Sequence, residues 1–188
     1  MKEKVSLKMM LKSYFMQFYS GFSLKDEEYL FENYINKGEY TVCGFSYGAI
    51  KAFEFTLEQL SNSIRIDTLQ LFSPAFFQTK EKKFRRLQLM SYKKNRDAYL
   101  QQFIAGCFTP FEKKIISHRD TTLQELEELL EYNWDKEALL SLVKQGVKIE
   151  VYLGSQDMII DVENARELFL DVATVTYIKE ANHFLQTC

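Results

Sequence analysis

Between a short β-prone run, Glu39 to Cys43, and a stretch, Ala49 to Leu60, with Ile50, Phe53, Leu57 and Leu60 at helical spacing, the chain reads Gly44-Phe45-Ser46-Tyr47-Gly48. A strand that turns straight into a helix forces the central residue of the turn into a strained backbone. Small residues are needed on either side, where neighbouring chain comes close. Ser46 is thereby presented at the end of a strand, beside the unpaired N–H groups of a helix N-terminus. A hydroxyl placed in this way becomes a nucleophile if a base, an acid that orients the base, and donors for a developing oxyanion surround it.

Such a turn calls for a parallel sheet with crossover helices, and the remaining sequence supplies one. The aromatic run Tyr14 to Tyr19 reads as a buried strand stopped by Ser20-Gly21, and Asp26 to Asn36 reads as a helix stopped by Lys37-Gly38. Ile66 to Phe72 is a strand buried on both faces, ended by Ser73-Pro74. From Phe76 to about Phe111 there is no strand pattern, so several short helices are expected, within a helical lid insertion spanning about 75–134. Thr121 and Gln124 have capping-box spacing ahead of the stripe Leu123, Leu126 and Leu130. Asp135 caps a further helix that Gly146 terminates, Val147 to Leu153 alternates as a strand, Asp161 to Leu170 is helical, and Ala173 to Ile178 is the last strand. The expected class is α/β, a single domain over 1–188 with about five mainly parallel strands and flanking helices.

The order of the candidate residues agrees with that sheet. Asp157 lies in the turn Gly154-Ser155-Gln156-Asp157 just after one strand, and His183 lies in Ala181-Asn182-His183-Phe184 just after the last. All parallel strands end on the same edge, so both fall on the edge that carries Ser46. The chain has only two histidines, and His118, in Ile116 to Asp120 ahead of a helix cap, reads as a surface residue. Asp161 competes with Asp157 for the acid, but a helix N-cap already accounts for it. For the oxyanion, the N–H of Tyr47 and that of Phe22, in the loop after the first strand, are the candidate donors.

Composition removes several other functions. Lys and Arg number 24 against 26 Asp and Glu, a formal charge of −2, so nothing favours a nucleic-acid partner. Cys43, Cys107 and Cys188 are scattered without metal-ligand spacing, which suggests no metal, no disulfide and a reducing, cytoplasmic setting. Lysines 2, 4, 8 and 12 interrupt the N-terminus, and no apolar run approaches about 18 residues, so neither a signal peptide nor a membrane span is expected. The stretch from Lys80 to Arg96, with Lys82, Lys83, Arg85, Arg86, Lys93 and Lys94 against the single acid Glu81, is either a solvated helix face or a docking surface for an acidic partner. Phe76, Phe77, Phe84, Phe103, Phe108 and Phe111 around it line an acyl channel or pack the lid. Strands in chain order would put right-handed crossover helices on one face, leaving the other to a helix at Val5 to Leu11 or to a second subunit in a homodimer.

The motif GFSYG resembles the nucleophile elbow of the α/β-hydrolase superfamily, VYLGSQDMIID its acid-bearing turn, and EANHFL its histidine loop. Tyr19-Ser20-Gly21-Phe22 is similar to its oxyanion loop, with Ser20 where a histidine is usual. The resemblance covers residues 14–60 and 147–185 and implies a reduced α/β-hydrolase fold with Ser46, His183 and Asp157 as nucleophile, base and acid, and no cofactor. Within the superfamily, the small size, the opening FYSGFSLKDEEYLF and the elbow GFSYGAIKA look most like the BioV-type pimeloyl-acyl-carrier-protein methyl ester esterases. That narrower resemblance implies hydrolysis of the methyl ester on a pimeloyl chain bound to acyl carrier protein, releasing the carboxylate for biotin synthesis, with Lys82, Lys83, Arg85, Arg86, Lys93, Lys94 and Arg96 as the carrier patch. Two other readings stand beside it: another acyl esterase or thioesterase, and a non-catalytic acyl-carrier-binding protein.

Overall fold

The computed structural model describes residues 16–188, and the expected helix at Val5 to Leu11 lies outside them. In chain order the elements are β1 (Gln17–Tyr19), β2 (Leu24–Lys25), a 3-10 turn (Glu27–Phe31), β3 (Thr41–Phe45), α1 (Tyr47–Ser61), β4 (Thr68–Phe72), α2 (Lys82–Lys94) and α3 (Arg96–Phe108). There follow β5 (Ser117–His118), α4 (Leu123–Glu131), α5 (Lys136–Lys144), β6 (Lys148–Gly154), α6 (Val162–Leu170) and β7 (Thr174–Ile178). Five strands form one parallel sheet in the order β1-β3-β4-β6-β7, and β2 pairs with β5 in a separate antiparallel ribbon. The register sets Phe45 beside Phe72 and Phe72 beside Tyr152, so β3 and β4 end level, while β6 runs on to Gly154, beside Ile178 at the end of β7. The loops leaving these strands therefore gather on one edge. No helix among the described residues is long and apolar enough to cross a membrane.

The sheet's two faces are covered differently. On the first, Leu69, Leu71, Ile149, Val151 and Leu153 meet Ile50 and Phe53 of α1, Leu139 and Leu142 of α5, and Ala165 and Phe169 of α6. Burying each of the larger side chains contributes roughly 1.5–3 kcal/mol. On the second, Cys43, Phe45 and Phe72 pack against Leu24, Phe31, Cys107, Phe108, Phe184 and Leu185. Phe31 stacks on Phe72 at 4.9 Å, and its ring lies 4.8 Å from that of Phe45. The 3-10 turn, the end of α3 and the chain after His183 thus cover this face around its C-terminal edge, where the sequence calls for an added helix or a second copy. Lower down the face is polar. There Gln70 donates to Tyr34 O and to Glu150, and accepts from the N–H of Asn36.

The connection from β1 to β3 runs over this second face while the helices after β3 and β6 lie on the first. Because all steps proceed in the same direction across the sheet, that first crossover has the opposite hand. This is where the expected helix Asp26 to Asn36 shrinks to five 3-10 residues. Asp26 adopts a left-handed backbone, φ 61°, and Gln70 takes up backbone groups of residues 34 and 36 that a helix would use. The stretch expected to form a lid holds two 13-residue helices, α2 and α3, longer than expected. The capping box sits one residue later than the sequence spacing predicts: Thr122 Oγ1 accepts from Glu125 N–H and Glu125 Oε2 accepts from Thr122 N–H. Thr121 is buried with its carbonyl bonded to the Tyr92 hydroxyl, so it cannot cap.

Candidate active site

The turn at Ser46 is the tightest link between sheet and helix. Its backbone has φ 52° and ψ −114°, and its N–H donates to Phe72 O at 3.0 Å. A Cβ on Gly44 would overlap the carbonyl of Gly48, and one on Gly48 would overlap the carbonyls of Tyr19 and Ser20. The two glycines therefore let the elbow close on itself and let the end of β1 lie against it.

The acid and the base reach the same edge from β6 and β7. At the end of β6, a Cβ on Gly154 would overlap the carbonyl oxygens of Ala181 and Asn182, so the histidine loop packs directly on the acid-bearing turn. Asp157 is buried, and its Oδ1 accepts from the N–H groups of Ile159 at 2.8 Å and Ile160 at 3.3 Å. Its Oδ2 lies 2.6 Å from His183 Nδ1, and His183 Nε2 lies 3.1 Å from Ser46 Oγ. With a carboxylate at Nδ1, the imidazole carries its proton there and leaves Nε2 to accept from the serine hydroxyl. Phe45 packs against the ring at 4.9 Å. Asn182 holds the loop: Oδ1 accepts from the N–H groups of Phe184 and Gln186, both at 3.0 Å, while Nδ2 donates to Phe108 O and Gln186 Oε1, both at 2.8 Å. That residue was not singled out from sequence, where adjacency to His183 is its only mark.

Among the described residues, the N–H groups of Phe22 and Tyr47 have no hydrogen-bond partner, as oxyanion donors should not before substrate arrives. The Tyr47 phenol is pushed up to about 12 by burial and by its bond to Glu128, 2.8 Å long, so it stays neutral and ties α1 to α4. Burial likewise raises the Cys43 thiol to about 12 and the Cys107 thiol well above its ordinary value, which leaves both unreactive. Asp161 sits at the N-cap of α6, accepting from Asn164 N–H and the Thr79 hydroxyl, and His118 is exposed on β5. No group of three His, Cys, Asp or Glu among the described residues is placed to hold a metal ion.

Beside this edge α2, α3 and α4 border an open pocket of roughly 320 Å³ walled by Phe77, Phe84, Tyr99, Phe103, Leu126 and Leu129, with Gln88, Ser91 and Gln102 as polar points; it reaches Met158 and Ile159 of the Asp157 turn but not Ser46 or His183. Among the described residues, no charged side chain lines it. Of the aromatic residues singled out from sequence, Phe76 and Phe108 are instead packed in the core and Phe111 does not reach the cavity. Phe22 joins site to lid: its ring lies 6.3 Å from Tyr47 and Tyr92 and 6.1 Å from Phe103. The basic residues separate into two groups. Arg85 turns inward toward the carbonyls of Phe77 and Gln78, and Arg96 pairs with Asp97 and Asp120, so these two are not free cations. Lys82, Lys83, Arg86, Lys93 and Lys94 are exposed and make no ion pair among the described residues. Leu87 and Met90, half-exposed, stand among them on α2.

Neither a protein-family model nor a curated protein matches this sequence. Solved structures do match. MGS-M2, an α/β hydrolase from a Medee basin deep-sea metagenome library, has a TM-score of 0.63 at 12% identity, over 89% of this chain and 82% of that one. Est816, an N-acyl homoserine lactone degrading enzyme, has a TM-score of 0.62 at 12% identity, over 92% of this chain and 87% of that one. The esterase EaEST from Exiguobacterium antarcticum has a TM-score of 0.56 at 16% identity; the match takes in 76% of this chain and only 59% of that esterase. This is the α/β-hydrolase fold. A sheet of five strands suffices to bring Ser46, Asp157 and His183 together, because the loops that carry them leave parallel strands β3, β6 and β7 on the same edge, with only β4 between the first two.

Proposed function

We propose that the protein is a serine carboxylesterase that hydrolyses the methyl ester of a pimeloyl chain carried by acyl carrier protein, in biotin precursor synthesis. One observation carries the esterase reading: Ser46 Oγ, at the strained elbow, lies 3.1 Å from His183 Nε2, whose other nitrogen lies 2.6 Å from Asp157. Ser46 attacks the ester carbonyl as His183 takes its proton and Asp157 stabilises the imidazolium. The N–H groups of Phe22 and Tyr47 hold the oxyanion. Collapse breaks the bond to the methoxy oxygen, which leaves as methanol with the proton from His183. Water, deprotonated by His183, then attacks the acyl-enzyme and releases the acid and Ser46. EaEST shares the fold and is an esterase, an analogy of fold only.

The carrier-bound substrate rests on the motif resemblance and on two features of the lid. A pocket of aromatic, aliphatic and neutral polar side chains suits a neutral acyl ester, and five cations without an ion pair among the described residues, beside half-exposed Leu87 and Met90, suit an acidic carrier helix with an apolar stripe. Ser46 is 2% exposed and His183 0%, so substrate reaches them only after some covering segment moves. A fluorophosphonate should label Ser46 in the intact protein and fail to label Ser46→Ala. Intact-mass measurement of carrier-bound pimeloyl methyl ester should then show loss of the methyl group. Cleavage at the thioester instead would make the protein a thioesterase, and carrier binding without labelling would make it a binding protein.

A further inference from the structure

We propose that Glu27 is the positioning residue of the oxyanion loop, its buried carboxyl holding Gly21 so that the N–H of Phe22 faces the reacting carbonyl. The inference rests on the esterase reading of Ser46 and assigns a role to a residue that makes no contact with Ser46, His183 or Asp157.

Glu27 is 0% exposed and makes no ion pair among the described residues. A carboxyl without a cationic partner is expensive to bury, and an apolar side chain of similar size would fold at lower cost. What this carboxyl does is accept the N–H of Gly21 at 2.6 Å, a short charge-assisted bond. Oε2 makes no further bond of good geometry, although the Ser20 hydroxyl and the N–H of Glu27 itself lie close enough to favour the ionised form against the opposing effect of burial.

The bond matters because of which peptide planes it controls. The N–H of Phe22 shares a plane with the carbonyl of Gly21, and that carbonyl accepts from Leu24 N–H at 3.1 Å. In a trans peptide the two point in opposite directions, so the turn bond directs the Phe22 N–H away from the turn. The plane before it, Ser20 to Gly21, is held by Glu27. Between the two planes lies a glycine, the residue with the least intrinsic preference for any φ and ψ. No Cβ is tolerated there, since it would sit 2.8 Å from the Phe45 ring, so the chain cannot stiffen this joint with a larger residue. The restraint has to come from outside, and Glu27 provides it.

Glu27→Met keeps the bulk and removes the acceptor, whereas Glu27→Gln keeps a carbonyl oxygen where Oε1 sits. With a small soluble p-nitrophenyl ester, Glu27→Met should lower kcat about tenfold or more, short of the roughly 10²–10³ lost on outright removal of a donor. KM should stay within about twofold, because the interaction lost belongs to the transition state. Glu27→Gln should recover most of the loss. Folded Glu27→Met with undiminished kcat, a loss confined to KM, or a Gln variant as impaired as Met would each overturn the proposal. The wild type offers a readout that needs neither turnover nor a variant: the Gly21 amide proton should resonate far downfield, and an ordinary shift refutes the anchoring. Wild type that neither hydrolyses esters nor is labelled at Ser46 overturns the esterase reading and the oxyanion role with it, while the Gly21 resonance still decides the anchoring.

Discussion

The sheet edge that carries Ser46, Asp157 and His183 and the helical insertion beside it, the proposed lid, are built on opposite terms. On the edge every functional group is held more than once: Asp157 by two backbone N–H groups besides His183, the histidine loop by four bonds to Asn182, and the elbow by glycines that admit no side chain. On the proposed lid, α2 carries five cations with no ion pair among the described residues, two half-exposed apolar residues and a pocket beside it. The two regions meet through aromatic contacts centred on Phe22, through the Tyr47 hydroxyl bonded to Glu128, and through the end of α3, where the Phe108 carbonyl accepts from Asn182. The exposed cations of α2 take no part in these contacts, so chemistry and substrate choice can be altered independently there. Changes to the edge should act on every ester, and changes to the lid only on substrates that must engage it.

The largest effect tests the edge. Asp157→Asn leaves the geometry nearly intact but cannot stabilise the imidazolium, and kcat should fall about 10⁴-fold on small and carrier-bound esters alike. Parallel initial rates on both substrates check it, and a loss limited to the carrier-bound ester would break the comparison. Asn182→Ala comes next. It leaves the buried N–H groups of Phe184 and Gln186 unpaired, each costing about 1–3 kcal/mol, so thermal melting should show a large destabilisation with lower kcat on both substrates. Lid changes should be milder and selective. Lys83→Glu with Arg86→Glu should lower kcat/KM on the carrier-bound ester roughly tenfold at low salt, with the difference vanishing near 1 M, where screening reaches about 3 Å. The rate on a small ester is the control. Arg85→Glu should instead lower the melting temperature, because this arginine is turned in against the carbonyls of Phe77 and Gln78.

The edge was far more legible in sequence than its supports. Ser46, Asp157 and His183 each come within a few residues of a strand's end, and a parallel sheet in chain order leaves their loops nowhere else to go. Local signals also place the caps at Asp135 and Asp161 and the left-handed Gly146. Where tertiary contacts decide, local signals mislead. Residues 26–36 have helical spacing, yet Gln70 claims their backbone groups from across the sheet. Thr121 and Thr122 are equivalent as caps until Tyr92 engages the first. Strands β2 and β5, two residues each, carry too little pattern to be seen. Cover for the second face comes from Phe31, Phe184 and Leu185, which no periodicity assigns to it. Glu27 is hidden for a related reason: its partner is a backbone N–H, and no residue type marks a glycine that needs holding.

The smallest predicted effect turns on that same carboxyl and concerns stability rather than rate. Burial, reinforced by Asp26, raises the Glu27 carboxyl above its ordinary 4.5, against the N–H groups of Gly21 and Glu27 and the Ser20 hydroxyl. Between 4.5 and the raised value the native state binds a proton that the unfolded chain does not, so wild-type stability falls as pH rises through that window and levels off above it. Glu27→Gln has no such proton to lose. Melting curves of the two proteins should nearly coincide in acid and separate as pH rises, the glutamine protein becoming the more stable by a few degrees in a chain of this size. If the edge keeps this carboxyl for positioning, the variant that gains stability gains no activity; a gap that does not change with pH would mean that Glu27 shares the solvation of the lid rather than the burial of the edge.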